Sequence, residues 1–285
     1  MITGMTDEKT VVEITQQYYD SPDADAFYHR IWGGEDIHIG IYMGHEPIKQ
    51  ASKRTVKIMA DLVDRPLDAH TRVLDIGAGY GGAARYLAQR FGCKVVCLNL
   101  SEVENERNRQ KNAELGLDSK IQVLSGNFEA IPLPDASFDL VWSEDALLHS
   151  ANREQVFREV DRVLRPGGEF IFTDPMMADD CPPEVLGPVL DRIHLPSMGA
   201  IATYTRYAER LQWEALRLLP MPTQLPLHYM QVQTELRNRY DELKEHCSEA
   251  YLDQMISGLQ HWIDAGNRGH LTWGILHYRS GLCTS

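Results

Sequence analysis

Residues 72–88 read Arg72-Val-Leu-Asp-Ile-Gly-Ala-Gly-Tyr-Gly-Gly-Ala-Ala-Arg-Tyr-Leu-Ala88. A short apolar run, Val73 to Ile76, breaks into a glycine turn, and Gly82 to Ala88 reads as the start of a helix. Gly77, Gly79 and Gly82 fit G-x-G-x-x-G, the spacing that turns a backbone tightly after a strand and lets a nucleotide approach closely. Glycine clusters also mark ordinary turns, so the spacing alone is weak. Asp75, two residues before the first glycine, sharpens it. A helix N-terminus already favours an anion, and a carboxylate placed there would repel a pyrophosphate. The stretch predicts a strand-turn-helix that holds a ligand with a cationic head and no phosphate.

Outward from this motif the chain alternates strand and helix, which implies a parallel sheet with right-handed crossovers. Strands are predicted at 72–76, 94–98, 121–124, 138–142 and 168–173, with helices at 82–91, 102–115 and 152–164. Each strand is nearly all apolar, as expected when both sheet faces are covered. Leu164-Arg-Pro-Gly-Gly168 is a stop signal before the fifth strand. Three helices, at 7–20, 23–31 and from Pro47 to Val63, precede the motif and are expected to lie over its opening. Beyond Asp174 the reading gives short helices at 184–194 and 204–212, a sixth strand near 215–219 and a Pro-rich loop over 220–228. Two helices follow within 229–264, and Leu271–Tyr278 reads as an edge strand. The expected fold is α/β: a doubly wound, mostly parallel, seven-stranded sheet. Residues 1–67 form a helical cap, and 68–285 form a core that carries a helical insert at 229–268.

The composition is that of an ordinary globular chain: 285 residues, 43% hydrophobic and 24% charged. A formal charge of −13 argues against nucleic acid as a partner, because phosphate binding needs a basic face. A solvated surface or a salty cytoplasm accounts for it. The five cysteines, 93, 97, 181, 247 and 283, form no C-x-x-C pair. Their odd number fits a reducing cytoplasm and no metal site, with Cys93 and Cys97 as core thiols. The N-terminus lacks a basic region followed by an apolar one, and no apolar run approaches the ~20 residues a membrane span needs. The expectation is a soluble, cytoplasmic monomer or homodimer with no membrane or nucleic-acid partner.

D-x-G-x-G-x-G-G, with the strands around it, resembles motif I of the class I S-adenosylmethionine-dependent methyltransferases, whose fold is Rossmann-like. In an open α/β sheet, ligands sit at the carboxyl ends of the strands, where strand order reverses. The resemblance implies that Tyr19, Asp75, Gly77, Ala78, Gly79, Asn99, Leu100, Glu104, Asn127, Phe128 and Ser143 bind S-adenosylmethionine. Asp75 would support the ammonium end. Asn99 and Asn127 stand where the family usually has acids, and Glu104, one helical turn beyond Asn99, is a candidate to supply the ribose carboxylate. Asn127 and Phe128 would meet the adenine, the backbone near Ser143 the methionine, and His149 the sulfonium.

Outside the core the resemblance narrows. Tyr18-Tyr-Asp-Ser21, Ile31-Trp-Gly-Gly-Glu-Asp-Ile-His-Ile-Gly40, Leu190-Asp-Arg-Ile193, Met198-Gly199 and Leu271-Thr-Trp-Gly274 are similar to the sarcosine/dimethylglycine N-methyltransferases of betaine synthesis, over roughly residues 16–279. The implied substrate is a small amine. Methyl transfer from a sulfonium is an in-line displacement, so positioning and desolvation do most of the work. A zwitterionic amino acid must first lose its ammonium proton; His149 and His38 are the candidate acceptors, with a structural role as the alternative for each. Arg192 is the candidate for the substrate carboxylate. Tyr28, Trp32, Tyr229 and Trp273 are candidates for a box around the methylammonium, provided two or more converge on one cavity. Other readings are a small-molecule N-, O- or C-methyltransferase of natural-product, amino-sugar or phosphobase metabolism, or a binding protein without catalysis.

Overall fold

The computed structural model describes residues 7–191 and 197–281. Seven strands form one sheet: β1 Arg72–Ile76, β2 Lys94–Asn99, β3 Ile121–Ser125, β4 Phe138–Glu144, β5 Leu164–Met177, β6 Glu214–Pro220 and β7 Leu271–Arg279, in the order β3-β2-β1-β4-β5-β7-β6. β1 to β5 are parallel, whereas β7 runs antiparallel to both β5 and β6. Strand order reverses between β1 and β4, so a crevice opens above their carboxyl ends.

The reading of Leu271–Tyr278 as an edge strand is incorrect. β7 lies inside the sheet, and β6 is the edge. The burial difference explains the order: eight consecutive residues of β7 are buried, while β6 is partly exposed and carries Glu214 and Arg217.

Eleven helices surround the sheet among the described residues: α1 Asp7–Tyr19, α2 Pro22–Trp32, α3 Ile48–Leu62, α4 Gly82–Arg90, α5 Glu102–Glu114, α6 Arg153–Val163, α7 Gly187–Asp191, α8 Ile201–Arg210, α9 Gln224–Asn238, α10 Tyr240–Leu243 and α11 Glu249–Asn267. Side-chain oxygens start several of them. Ser21 accepts from Ala24 N in α2, Ser101 from Glu104 N in α5, Asn152 from Gln155 N in α6 and Ser248 from Tyr251 N in α11. The loop expected over 220–228 ends at Thr223. Pro226 lies in the first turn of α9, where its missing N–H would have no partner anyway.

Successive strand residues point to opposite faces. Val73, Val95, Leu140, Trp142 and Ile275 join one core with α2, α3, α4, α9 and α11. Leu74, Leu98, Val141, Phe172 and Leu276 join a second core with α6 and α8. The α5 helix is an exception, since it buries Glu104, Asn105, Asn108 and Asn112 rather than an apolar stripe. Asn105 donates to Asn99 O and Ser125 Oγ, and Arg85 to Asn108 and Asn112, so α5 is held by polar bonds. None of the helices is long and apolar enough to cross a membrane, among the described residues.

Candidate active site

A cavity opens above the carboxyl ends of β1, β2 and β4. Gly77, Gly79, Asn99, Leu100, Glu104 and Phe128 line it, together with Tyr19 and His149. The glycine turn is sterically required here. Gly77 has φ +74°, and a Cβ on it would fall 2.2 Å from Ala146 Cβ. Gly82 serves another purpose: a Cβ there would fall 1.9 Å from Asp36 Oδ1, so its absence lets the segment after α2 cross the start of α4. Gly82 N–H donates to Glu35 O, and Arg85 pins the Glu35 carboxylate at 2.7 Å.

Glu104 is buried beside the cavity rather than exposed on α5, and its carboxylate accepts from Asn99 Nδ2 at 2.8 Å. Burial pushes that carboxyl up to about 7, against the lowering effect of Asn99. An amide and a carboxylate thus stand side by side, a donor and acceptor pair fit for a vicinal diol. Phe128 offers a ring to a base. Asn127 is not among the lining residues; its Oδ1 is taken by Glu129 N–H. Ser143 lies beneath the site, its hydroxyl donating to Ile76 O.

At the other end a smaller recess is lined by Asp36, His38, Asp75, Gly77, Ala78 and Glu144. Burial raises the carboxyls of Asp75 and Glu144; Glu144 and Asp36 add to the rise at Asp75, Asp36 and Asp145 to that at Glu144, and His38 opposes both. Such a recess favours a cation, which relieves buried negative charge. His38 already answers part of that demand. Its Nδ1 lies 3.1 Å from Ile39 O, while Nε2 faces Glu144 at 3.4 Å and Asp36 at 3.7 Å. Burial pulls its pKa down, but Glu144, Asp36 and Asp145 outweigh burial and hold it up to about 10. An imidazolium has no lone pair for a substrate proton, so the structure argues against His38 as the base.

A second cavity adjoins the first and is lined by Tyr28, Trp32, His228 and Tyr229 among others. Tyr19, Ile37, Asp145 and His149 line both cavities and form the junction. There Tyr19 OH lies 3.0 Å from His149 Nε2, with the two rings edge to face. Asp145 holds the floor. Its φ is +51°, a conformation fixed by bonds from Ile39 N–H (2.6 Å), Trp273 Nε1–H (2.7 Å) and Thr173 Oγ1–H (2.8 Å). Trp273 is accordingly not part of the aromatic box. It is fully buried and lines neither cavity; its observed contact is the support of Asp145. Arg192 lies outside the described residues.

Ile37, Glu144, Asp145 and His228 escaped the sequence reading. The carboxyl-end rule nominates two of them directly, since Glu144 closes β4 and Asp145 follows it. His228 fell in the stretch read as loop; in α9 its Nδ1 meets Gly40 N–H and Tyr42 OH.

The first cavity and its acidic recess fit S-adenosylmethionine: a ring for the base, a diol pair for the ribose and carboxylates for the cationic end. With the β3-β2-β1-β4-β5-β7-β6 sheet they define a class I S-adenosylmethionine-dependent methyltransferase. Residues 74–172 match the methyltransferase domain family. The chain is 55% identical over 271 residues to the sarcosine/dimethylglycine N-methyltransferase of Halorhodospira halochloris, covering 95% of this chain and 97% of that one. It is 52% identical to the enzyme of the same name from Aphanothece halophytica, over 96% and 99%. A crystal structure assigned as a sarcosine dimethylglycine methyltransferase, from Galdieria sulphuraria, superposes with a TM-score of 0.88 at 42% identity, over 93% and 99% of the two chains. The chain belongs to the sarcosine/dimethylglycine N-methyltransferase family.

Proposed function

We propose that this enzyme methylates the amines of sarcosine and dimethylglycine, towards glycine betaine. The observation that carries the reading is the adjoining pair of cavities, one fit for the cofactor and one aromatic, that share Tyr19 and His149 at their junction. S-Adenosylmethionine, when bound, supplies an electrophilic methyl group on a sulfonium. Tyr28, Trp32 and Tyr229 bind the substrate's methylated ammonium, and Asp145, which lines the same cavity, favours positive charge there. The amine needs a free lone pair. In the proposed route Tyr19 OH takes the ammonium proton as it passes its own to His149 Nε2. Asp75 holds the ammonium end of the cofactor, and Asn99 with Glu104 the ribose. His38 acts as a fixed cation that ties the 36–39 segment to β4.

Arg192, outside the described residues, is the proposed partner of the substrate carboxylate. The helices before β1 and those between β6 and β7 are proposed to act as covers for this site.

The test is a methyl-transfer assay with purified enzyme, following S-adenosylhomocysteine and product mass over glycine, sarcosine, dimethylglycine and phosphoethanolamine. Turnover of sarcosine and dimethylglycine to betaine is expected. Turnover of phosphoethanolamine alone, or of none of the four, overturns the reading.

A further inference from the structure

We propose that Asp174 and Arg153 are positioning residues for His149, holding both polar atoms of Leu148 and so setting the turn that presents the imidazole. The inference rests on the reading of His149 as a participant in proton removal. The residues Leu147–His149 form a single 3-10 turn, closed by His149 N–H to Ala146 O and Ser150 N–H to Leu147 O. So short a turn does not hold its own direction.

Two buried, oppositely charged side chains supply what it lacks. Leu148 N–H donates to Asp174 Oδ1 at 2.9 Å, and Arg153 Nη2 donates to Leu148 O at 2.8 Å. Asp174, at the carboxyl end of β5, is fully buried and also accepts from Tyr204 OH of α8 at 2.6 Å. Arg153, in the first turn of α6, extends the clamp to Ser197 through bonds to Ser197 O at 2.7 Å and Ser197 Oγ at 3.0 Å. Neither residue lines either cavity, so neither is placed to touch a ligand.

The two anchors come from different elements, Asp174 from β5 and Arg153 from α6, and they hold the Leu148 N–H and C=O from opposite sides, which suits a turn that must aim one side chain. Burial pushes the Asp174 carboxyl up to about 7, opposed by Tyr204, Arg153 and Leu148 N–H.

The experiment is a double-mutant cycle on the full chain, with kcat for dimethylglycine, affinity for S-adenosylhomocysteine and Tm as readouts. Asp174→Asn keeps the shape and is expected to lower kcat by about 10²-fold, the cost of a misplaced group. Affinity for S-adenosylhomocysteine should stay within about 2-fold, the additivity limit for independent sites. On a His149→Ala background the same change should cost nothing further, because the clamp acts through that side chain. Arg153→Lys should behave likewise, and Tyr204→Phe should give a smaller loss of the same kind. If Asp174→Asn does not fold, those two variants carry the cycle. Wild-type kcat in the clamp variants, or losses that multiply with that of His149→Ala, would overturn the proposal. Wild-type kcat in His149→Ala alone is a separate outcome that removes the proton-acceptor reading, and the clamp's purpose with it.

Discussion

The two cavities that meet at Tyr19 and His149 are built in opposite ways. The cofactor side takes most of its lining from the ends of neighbouring parallel strands, and it is glycine-rich and acidic. The amine side is assembled from α1, α2, the 37–39 segment, the 147–149 turn and α9, and it is aromatic. One is a consequence of sheet topology, which brings consecutive βα turns together. The other exists only because distant helices pack over that opening. Changes to the two sides should therefore separate binding of the cofactor from handling of the amine.

His149→Ala puts that separation to the hardest test. A general acid–base group contributes about 10²–10⁴-fold, and kcat should fall within that range while S-adenosylhomocysteine still binds in calorimetry. Loss of cofactor binding instead would mean that the junction is one site rather than two. Gly77→Ala attacks the other side. Its Cβ meets Ala146, overpacking of this kind costs about 1–3 kcal/mol of stability, and the displaced turn should weaken binding of the cofactor. A variant that binds S-adenosylhomocysteine as tightly as the wild type would show that the turn can yield.

Tyr229→Leu should act on the amine side alone. Loss of one cation–π face is worth about 0.5–2 kcal/mol, so KM for dimethylglycine should rise by roughly 2- to 30-fold with cofactor affinity unchanged. An unchanged KM would remove Tyr229 from the box.

The smallest effect concerns acid titration at Glu104. Its carboxyl stands near 7 in the folded protein against 4.5 for an ordinary glutamate. The folded state then binds the proton more tightly, so this residue makes the empty protein less stable as pH rises from about 4.5 to 7, and has no further effect above. Glu104→Gln should match the wild-type Tm at pH 4 and exceed it at pH 8, by roughly 2–4 °C per kcal/mol of relieved cost. Cofactor affinity should move the other way, weaker in the variant at pH 8. Parallel Tm curves at both pH values would show that Glu104 is already paired.

Much of the cofactor side was legible because its signals are local. Asp75 and the Gly77–Gly82 turn are contiguous, and the strand-end rule nominates Asn99 and Phe128. Helical spacing makes Glu104 a candidate, but an exposed helical glutamate is the more economical reading until the structure shows it buried. Errors gathered where a neighbour far along the chain decides. Trp273 reads as one more aromatic candidate until Asp145, 128 residues away in sequence, takes its Nε1–H. His38 reads as a titratable imidazole until Asp36, Glu144 and Asp145 surround it.

By itself, the sequence determined the class of fold, the order of strands and helices through β5, the cofactor and the family, because hydrophobic period, glycine spacing and short motifs are written within a few residues of one another. Tertiary structure alone decided that β7 enters between β5 and β6, that Asp36 and Glu144 face the His38 imidazole, and that Tyr19, His149, Trp32 and Tyr229 line one cavity. Those outcomes depend on burial and on charges brought together from remote segments, and neither is a property of any one stretch of chain.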